Sequence, residues 1–154
     1  MILRVRGIGV RDEPRWRELW DAYTRFYERE PCEAITNRTW AEIMKATSPV
    51  KAIVAADHRD NVVGIANYVV HESTSTISPV CYLQDLFVDL SCRGLGAGRM
   101  LIEWLLTEMQ GRGWSRLYWH TKENNYRARG LYDKFTLHSG FLRYVITNPR
   151  SGES

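Results

Sequence analysis

Cysteine is scarce in this chain of 154 residues: three, at Cys32, Cys81 and Cys92. They are too few and too scattered for a disulfide framework or a thiolate metal site, so they read as structural and no metal is expected. Cys92 adjoins a glycine-rich segment, but no activating partner for a thiol nucleophile is legible. No apolar run reaches the length of a membrane span. The opening Met1-Ile2-Leu3-Arg4-Val5-Arg6 alternates apolar and basic residues and is no secretory leader. A cytoplasmic protein with reduced thiols and no membrane partner is therefore expected. Excess charge of one sign is also missing, with 21 basic residues against 18 acidic ones and a net charge of +3. The basic residues form no dense stripe, which argues against a nucleic-acid partner.

What is present is an ordinary globular composition, 44% hydrophobic and 25% charged. The length suits one domain, expected over residues 1–148, with 149–154 as a disordered tail. Apolar alternation predicts a strand over 2–10. Asp12-Glu13-Pro14 then starts a helix, with Asp12 as the capping carboxylate and Pro14 where a missing N–H costs little. Trp16, Leu19, Trp20, Tyr23, Phe26 and Tyr27 continue it at helical spacing to Glu30, and Pro31 ends it. Thr36-Asn37-Arg38-Thr39 reads as the cap of a shorter helix carrying Trp40, Ile43 and Met44. The runs 51–56 and 62–70 form a hairpin around His58-Arg59-Asp60-Asn61. A strand over 80–88 follows a polar loop. Leu101, Trp104, Leu105 and Met109 make one stripe of a helix over 99–110, closed by Gly111 and Gly113. A strand over 117–121, a helix over 125–135 and a last strand over 141–147 complete an α/β (α+β) order. It implies a mixed sheet with helices on both faces.

The most informative stretch is Arg93-Gly94-Leu95-Gly96-Ala97-Gly98, at the junction of the 80–88 strand and the next helix. Alternating glycines let backbone approach a ligand closely, and the helix start directs unpaired N–H groups and its positive dipole end at the same place. Such a junction binds phosphate. A P-loop is excluded because Arg99 and Met100 stand where its second Gly and its Lys belong. A dinucleotide fingerprint is excluded because its third glycine falls on Arg99 or Leu101. The basic residues Arg93, Arg99, Lys122, Arg127, Arg129 and Lys134 lie in the segments flanking the proposed ligand and suit a polyanion.

Arg93-x-x-Gly96-x-Gly98, preceded by Leu86-Phe87-Val88-Asp89, resembles the pyrophosphate loop of the GNAT acetyltransferases. The element order matches that fold over nearly the whole chain, and the resemblance is specific from about Tyr82 to Tyr144. A second motif, Asn125-x-x-Ala128 followed by Leu131-Tyr132, is similar to the family's helix after the fifth strand. The resemblance implies acetyl-coenzyme A as cosubstrate. Its contacts would be Leu86, Phe87, Val88, Arg93, Gly94, Leu95, Gly96, Ala97, Gly98 and Arg99, with Asn125 and Ala128 at the pantetheine arm. It also implies Tyr132 as the acid that protonates the departing sulfur. Where relatives often carry Gly-Phe after the tyrosine helix, this chain has Phe135-Thr136, with Gly140-Phe141 only later.

An attacking amine must lose a proton, and Asp85 and His120 are the titratable candidates. Relatives with a similar Tyr-Leu-x-Asp-Leu strand, polyamine acetyltransferases among them, often have Glu where this chain has Gln84, and Gln cannot take a proton. Strand alternation sets Asp85 on the opposite face from Gln84 unless a bulge intervenes. The aromatic stripe from Trp16 to Phe26 reads as core. Tyr27, Glu28, Glu30 and Glu33 could draw a cationic amine, though an exposed acidic turn explains them as well. The expected function is an N-acetyltransferase acting on a small primary amine, a polyamine or lysine-like group, by direct attack in a ternary complex. A catalytically silent acyl-coenzyme A binding module is the alternative, and a nucleotide-binding protein is a weaker one. A short last strand with an open edge leads to the expectation of a homodimer.

Overall fold

Two apolar runs, Val50–Ala56 (β2) and Val62–His71 (β3), pair antiparallel as the centre of the sheet in the computed structural model, which describes residues 2–152. The turn between them is built on Asp57, whose carboxylate accepts from the amides of Arg59 and Asn61 at 2.9 Å. Arg4–Gly7 (β1) pairs with β2, and Val80–Val88 (β4) with β3, both antiparallel. Leu117–Tyr118 (β5) joins β4 in parallel, giving a five-stranded mixed sheet in the order β1-β2-β3-β4-β5. A mixed sheet is formed, as read from the sequence, but among the described residues its fifth strand stops at Tyr118 rather than at Thr121 and the expected sixth is not part of it.

Helices Glu13–Phe26 (α1) and Glu33–Met44 (α2) cover one face. Their Trp16, Leu19, Tyr23, Trp40 and Ile43 bury with Ala52, Val54, Ile65 and Phe87 of the strands. The alternate strand residues meet Ala97–Arg112 (α3), whose Leu101, Ile102 and Leu105 are fully buried. Gly64 permits this approach: a Cβ there would lie 3.3 Å from the Phe87 carbonyl oxygen and 3.5 Å from Leu101.

Several expectations need correction. β1 stops at Gly7, and a 3-10 turn over Val10–Asp12 replaces the rest of the expected strand. Asp12 adopts helical angles and does not cap α1 with its side chain. Its carboxylate instead accepts from the Gly9 amide at 2.7 Å and from both terminal nitrogens of Arg6 at 2.8 and 2.9 Å. A guanidinium offers two charge-assisted bonds where a helix amide offers one weaker bond. α1 ends at Phe26 rather than Glu30, and Glu28 takes a left-handed φ of 59° in the turn. α2 starts at Glu33, so Thr36 lies inside it, buried, instead of capping it.

The chain divides into two compact units, Met1–His120 and Thr121–Ser154. The second holds a short helix, Tyr126–Tyr132 (α4), which ends before the expected Phe135. Residues 141–147 form no strand, because a strand exists only through a hydrogen-bonded neighbour and none pairs with them among the described residues. Phe141, Leu142, Tyr144 and Ile146 are exposed there. The expected disordered tail begins as a 3-10 turn over Pro149–Ser151, capped by the Asn148 side chain; Glu153 and Ser154 lie outside the described residues.

Candidate active site

The pairing of β4 with β5 is brief, covering only Cys81 with Leu117 and Tyr82 with Tyr118. Beyond Tyr82, β4 continues to Val88 against β3 alone. Among the described residues its other edge over 83–88 carries no strand ladder, which leaves backbone donors and acceptors that a ligand lying along the strand could use. Leu86, Phe87 and Val88 occupy this stretch, with the Phe87 ring buried on the α1 face.

The open edge leads into the glycine run. Asp89 turns the chain, accepting from the Ser91 amide and pairing with Arg15 of α1, and a 3-10 turn follows over Leu90–Cys92. Gly94 and Gly96 have φ of 84° and 86°, a region that strains any residue with a Cβ. A Cβ at either would meet nothing within 4 Å, so open space lies over the loop. Gly96 is the cap of α3, and the helix's first internal bond runs from the Met100 amide to the Gly96 carbonyl at 3.0 Å. The amides of Ala97, Gly98 and Arg99 thus precede the ladder, and no acidic residue occupies the first turn. Leu95 is exposed and Ala97 is buried as an anchor. A glycine loop running into the start of a helix is an arrangement that can hold an anion on main-chain amides.

Arg93 divides its roles. Its backbone enters the glycine run, while its guanidinium carbon sits 5.0 Å from the Phe26 ring centroid and 5.8 Å from that of Phe87. The Arg99 side chain pairs with Glu103 at 2.8 Å on the exposed face of α3.

Asp85 lies across from Asn67 because of a bulge. The register runs Asn67 to Asp85 and then Tyr68 to Leu83, so Gln84 is the extra residue of β4 and stands exposed. Asp85 therefore turns to the α1 face, where the Asn67 Nδ2 donates to its Oδ2 at 3.2 Å and the Tyr23 hydroxyl donates as well. Protein encloses the carboxyl on most sides, yet part of its surface stays open to solvent. Burial pushes its pKa above the ordinary carboxylate range, against the two hydrogen bonds and the charge of Arg29. Burial, and then the nearby Asp85 charge, hold the Tyr23 phenol far above its usual range, so it stays a donor. Asn67, buried within an apolar strand, is a residue of this site that the motifs do not single out. A lone amide in a run of Val, Ile and Ala is the available signal.

His120, the other proton-acceptor candidate, is exposed, its Nδ1 3.1 Å from the Tyr82 hydroxyl. Cys81 is buried and its thiol is pushed up to about 12, as an inert structural cysteine requires. In the second unit, Asn125 caps α4, its Oδ1 accepting from the Ala128 amide at 3.3 Å. Ala128 and Tyr132 are half-buried and share one face of that helix. Among the described residues no helix is long and apolar enough to cross a membrane.

Comparison with known proteins identifies the family. The model of the acetyltransferase (GNAT) family matches residues 14–136. The D-amino-acid N-acetyltransferase HPA3 of Saccharomyces cerevisiae is 30% identical over 131 residues, covering 84% of this chain and 81% of its own. In fold, the chain is similar to a ribosomal-protein-alanine N-acetyltransferase from Brucella melitensis biovar Abortus 2308, with a TM-score of 0.79 and 18% identity over 96% of this chain and all of that one, 100%. It is equally similar to AAC(6')-Iy in complex with a bisubstrate analogue, CoA-S-monomethyl-acetylneamine, with a TM-score of 0.80 and 17% identity over 96% and 99% of the two chains. A family match over most of the chain, with an open strand edge running into an exposed glycine cradle, makes this protein a member of the GNAT family of N-acetyltransferases.

Proposed function

We propose that this enzyme moves the acetyl group of acetyl-coenzyme A to a primary amine by direct attack within a ternary complex. The observation that carries the reading is the unpaired edge of β4 continuing into the glycine loop and the start of α3. In this reading residues 1–148 work as one domain. The amides of residues 93–99 grip the diphosphate, with Arg93, Gly94, Leu95, Gly96, Ala97, Gly98 and Arg99 all contributing backbone. Leu86, Phe87 and Val88 offer strand-edge groups to the acyl and pantetheine end, and Asn125 and Ala128 attend the arm.

Bound acetyl-coenzyme A supplies an activated thioester. The protein supplies the proton traffic. Asp85 takes the proton of the incoming ammonium, forming an O–H bond as the N–H bond breaks. Tyr132 donates its hydroxyl proton toward the departing sulfur. An N–H of Phe87 or Val88 supports the negative charge that develops on the carbonyl oxygen.

The acceptor is a small primary amine, a polyamine or lysine-like group. A second acceptor class, a free amino acid, is favoured by the charge of Arg29 acting on Asp85, which would suit a substrate carboxylate beside the amine. The yeast relative, a D-amino-acid N-acetyltransferase, points the same way. A cytoplasmic homodimer completes the proposal, although residues 141–147, whose strand edge led to the expectation of a dimer, form no strand.

Thiol release from acetyl-coenzyme A, measured with spermidine, a lysine peptide and D- and L-amino acids, tests it. Turnover with one class and none with the others assigns the acceptor. Tight coenzyme A binding without thiol release from any amine would mean a silent binding module instead.

A further inference from the structure

We propose that Asn67, oriented by Trp16, is a positioning residue that keeps Asp85 in its proton-accepting form. The proposal rests on the reading of Asp85 as the group that deprotonates the acceptor amine.

The argument begins at the indole. Trp16 Nε1 lies 3.2 Å from Asn67 Oδ1, and an indole nitrogen can only donate. The atom it meets on Asn67 must therefore be the carbonyl oxygen. That leaves Nδ2 as the atom facing Asp85 Oδ2 at 3.2 Å. The orientation of the amide follows from chemistry, and burial of both Trp16 and Asn67 keeps water from substituting for either partner. Trp16 is itself held, stacked on Trp20 at 5.3 Å and tilted against Trp40 at 5.4 Å.

A reversed amide would point Oδ1 at the carboxyl. Two oxygen acceptors can share one hydrogen bond only if the carboxyl carries the proton, and a protonated Asp85 cannot accept another. Trp16 thus acts on Asp85 from two hydrogen bonds away. The bulge at Gln84 makes the arrangement geometrically available, since it sets Asp85 directly opposite Asn67. The groups acting on Asp85 are Tyr23 from α1, a neutral donor, Arg29 from the turn after α1, a cation, and the neutral amide of Asn67 from β3. Its neighbours on β4, Gln84 and Leu86, carry no charge. Two donors on an enclosed carboxylate oppose the cost of its burial, and the Asn67 bond is the one whose direction a second residue dictates.

The test is the pH dependence of kcat/KM, with the Asp85 titration followed separately by NMR of its carboxyl carbon and folding checked by thermal melting. Asn67→Ala is expected to move the acid limb, and the NMR titration, to higher pH by about one unit. Asn67→Ser serves should Asn67→Ala fail to fold. Trp16→Phe, which removes only the donor and some ring, is expected to shift both in the same direction by less. Asp85→Asn should remove the limb. If Asp85→Asn removes it while Asn67 and Trp16 variants titrate as the parent does, the positioning role is overturned and Asp85 stands. If Asp85→Asn leaves the limb in place, the reading of Asp85 as base fails, and the role of Asn67 with it.

Discussion

The guanidinium of Arg93 rests over the ring of Phe26, 5.0 Å from its centroid, and so pins the start of the glycine loop to the end of α1. A cation–π contact at a partly exposed site contributes about 0.5–1 kcal/mol. Phe26→Ala should therefore weaken coenzyme A binding about two- to fivefold by calorimetry, through a loosened loop. An unchanged affinity would show that the loop holds its shape without this anchor.

Gly96 separates strain from obstruction. It has a φ of 86°, and a methyl group placed there would stand in open space. Gly96→Ala should therefore cost stability alone, about 1–2 kcal/mol in urea melts. Gly96→Arg should cost a similar amount of stability and also abolish coenzyme A binding, because its side chain covers the loop amides. Retained affinity in Gly96→Arg would remove the cradle from the cofactor site.

Tyr132→Phe keeps the ring and deletes the hydroxyl proposed as the acid. We expect kcat to fall about a hundredfold or more, the usual scale for general acid catalysis, with the coenzyme A dissociation constant within about twofold of the parent. Equal turnover in the two proteins would take Tyr132 out of the chemistry.

Asp85 should also be visible in stability. Its folded pKa is raised, so the folded state prefers the protonated form, and ionisation at higher pH costs stability. Asp85→Asn should match the parent near or below about pH 4, where both side chains are neutral, and should become the more stable protein as pH rises. Melting curves from about pH 4 to about pH 8 measure the gap; a gap that stays constant with pH would contradict a penalised carboxylate.

Asp12 has the opposite sign. The Arg6 guanidinium, bonded through both terminal nitrogens, holds its carboxyl below the usual range. Its contribution is present above an unfolded pKa of about 3.9 and is lost as pH falls through the lower folded value. Asp12→Asn should lose roughly 1.5–3 kcal/mol at neutral pH, with the difference closing in strong acid. A difference independent of pH would assign Asp12 a packing role only.

Features encoded over short distances are legible in the residues. The hairpin of β2 and β3, the stripe of Leu101 and Leu105, and the glycine run at the mouth of α3 each depend on local periodicity or on backbone freedom at single positions. Features needing a partner from elsewhere are not. Asp12 looks like a helix cap because the Arg6 bond cannot be read from spacing. Residues 141–147 have the composition of a strand, yet a ladder requires a second edge. Gln84 gives no local sign of a bulge, since the extra residue is defined only against β3. Trp16 and Tyr23 read as core, and they are, but each also sends one polar atom into the network around Asp85.

Sequence alone determined that a glycine turn would stand between a strand and a helix start, because glycine's missing Cβ and the first unpaired amides of a helix act within a few residues. Tertiary structure alone decided where β4 parts from β5, and which face Asp85 takes. Those outcomes depend on register between strands distant in the chain, and hydrogen-bond pairing across that distance leaves no periodic trace in either strand by itself.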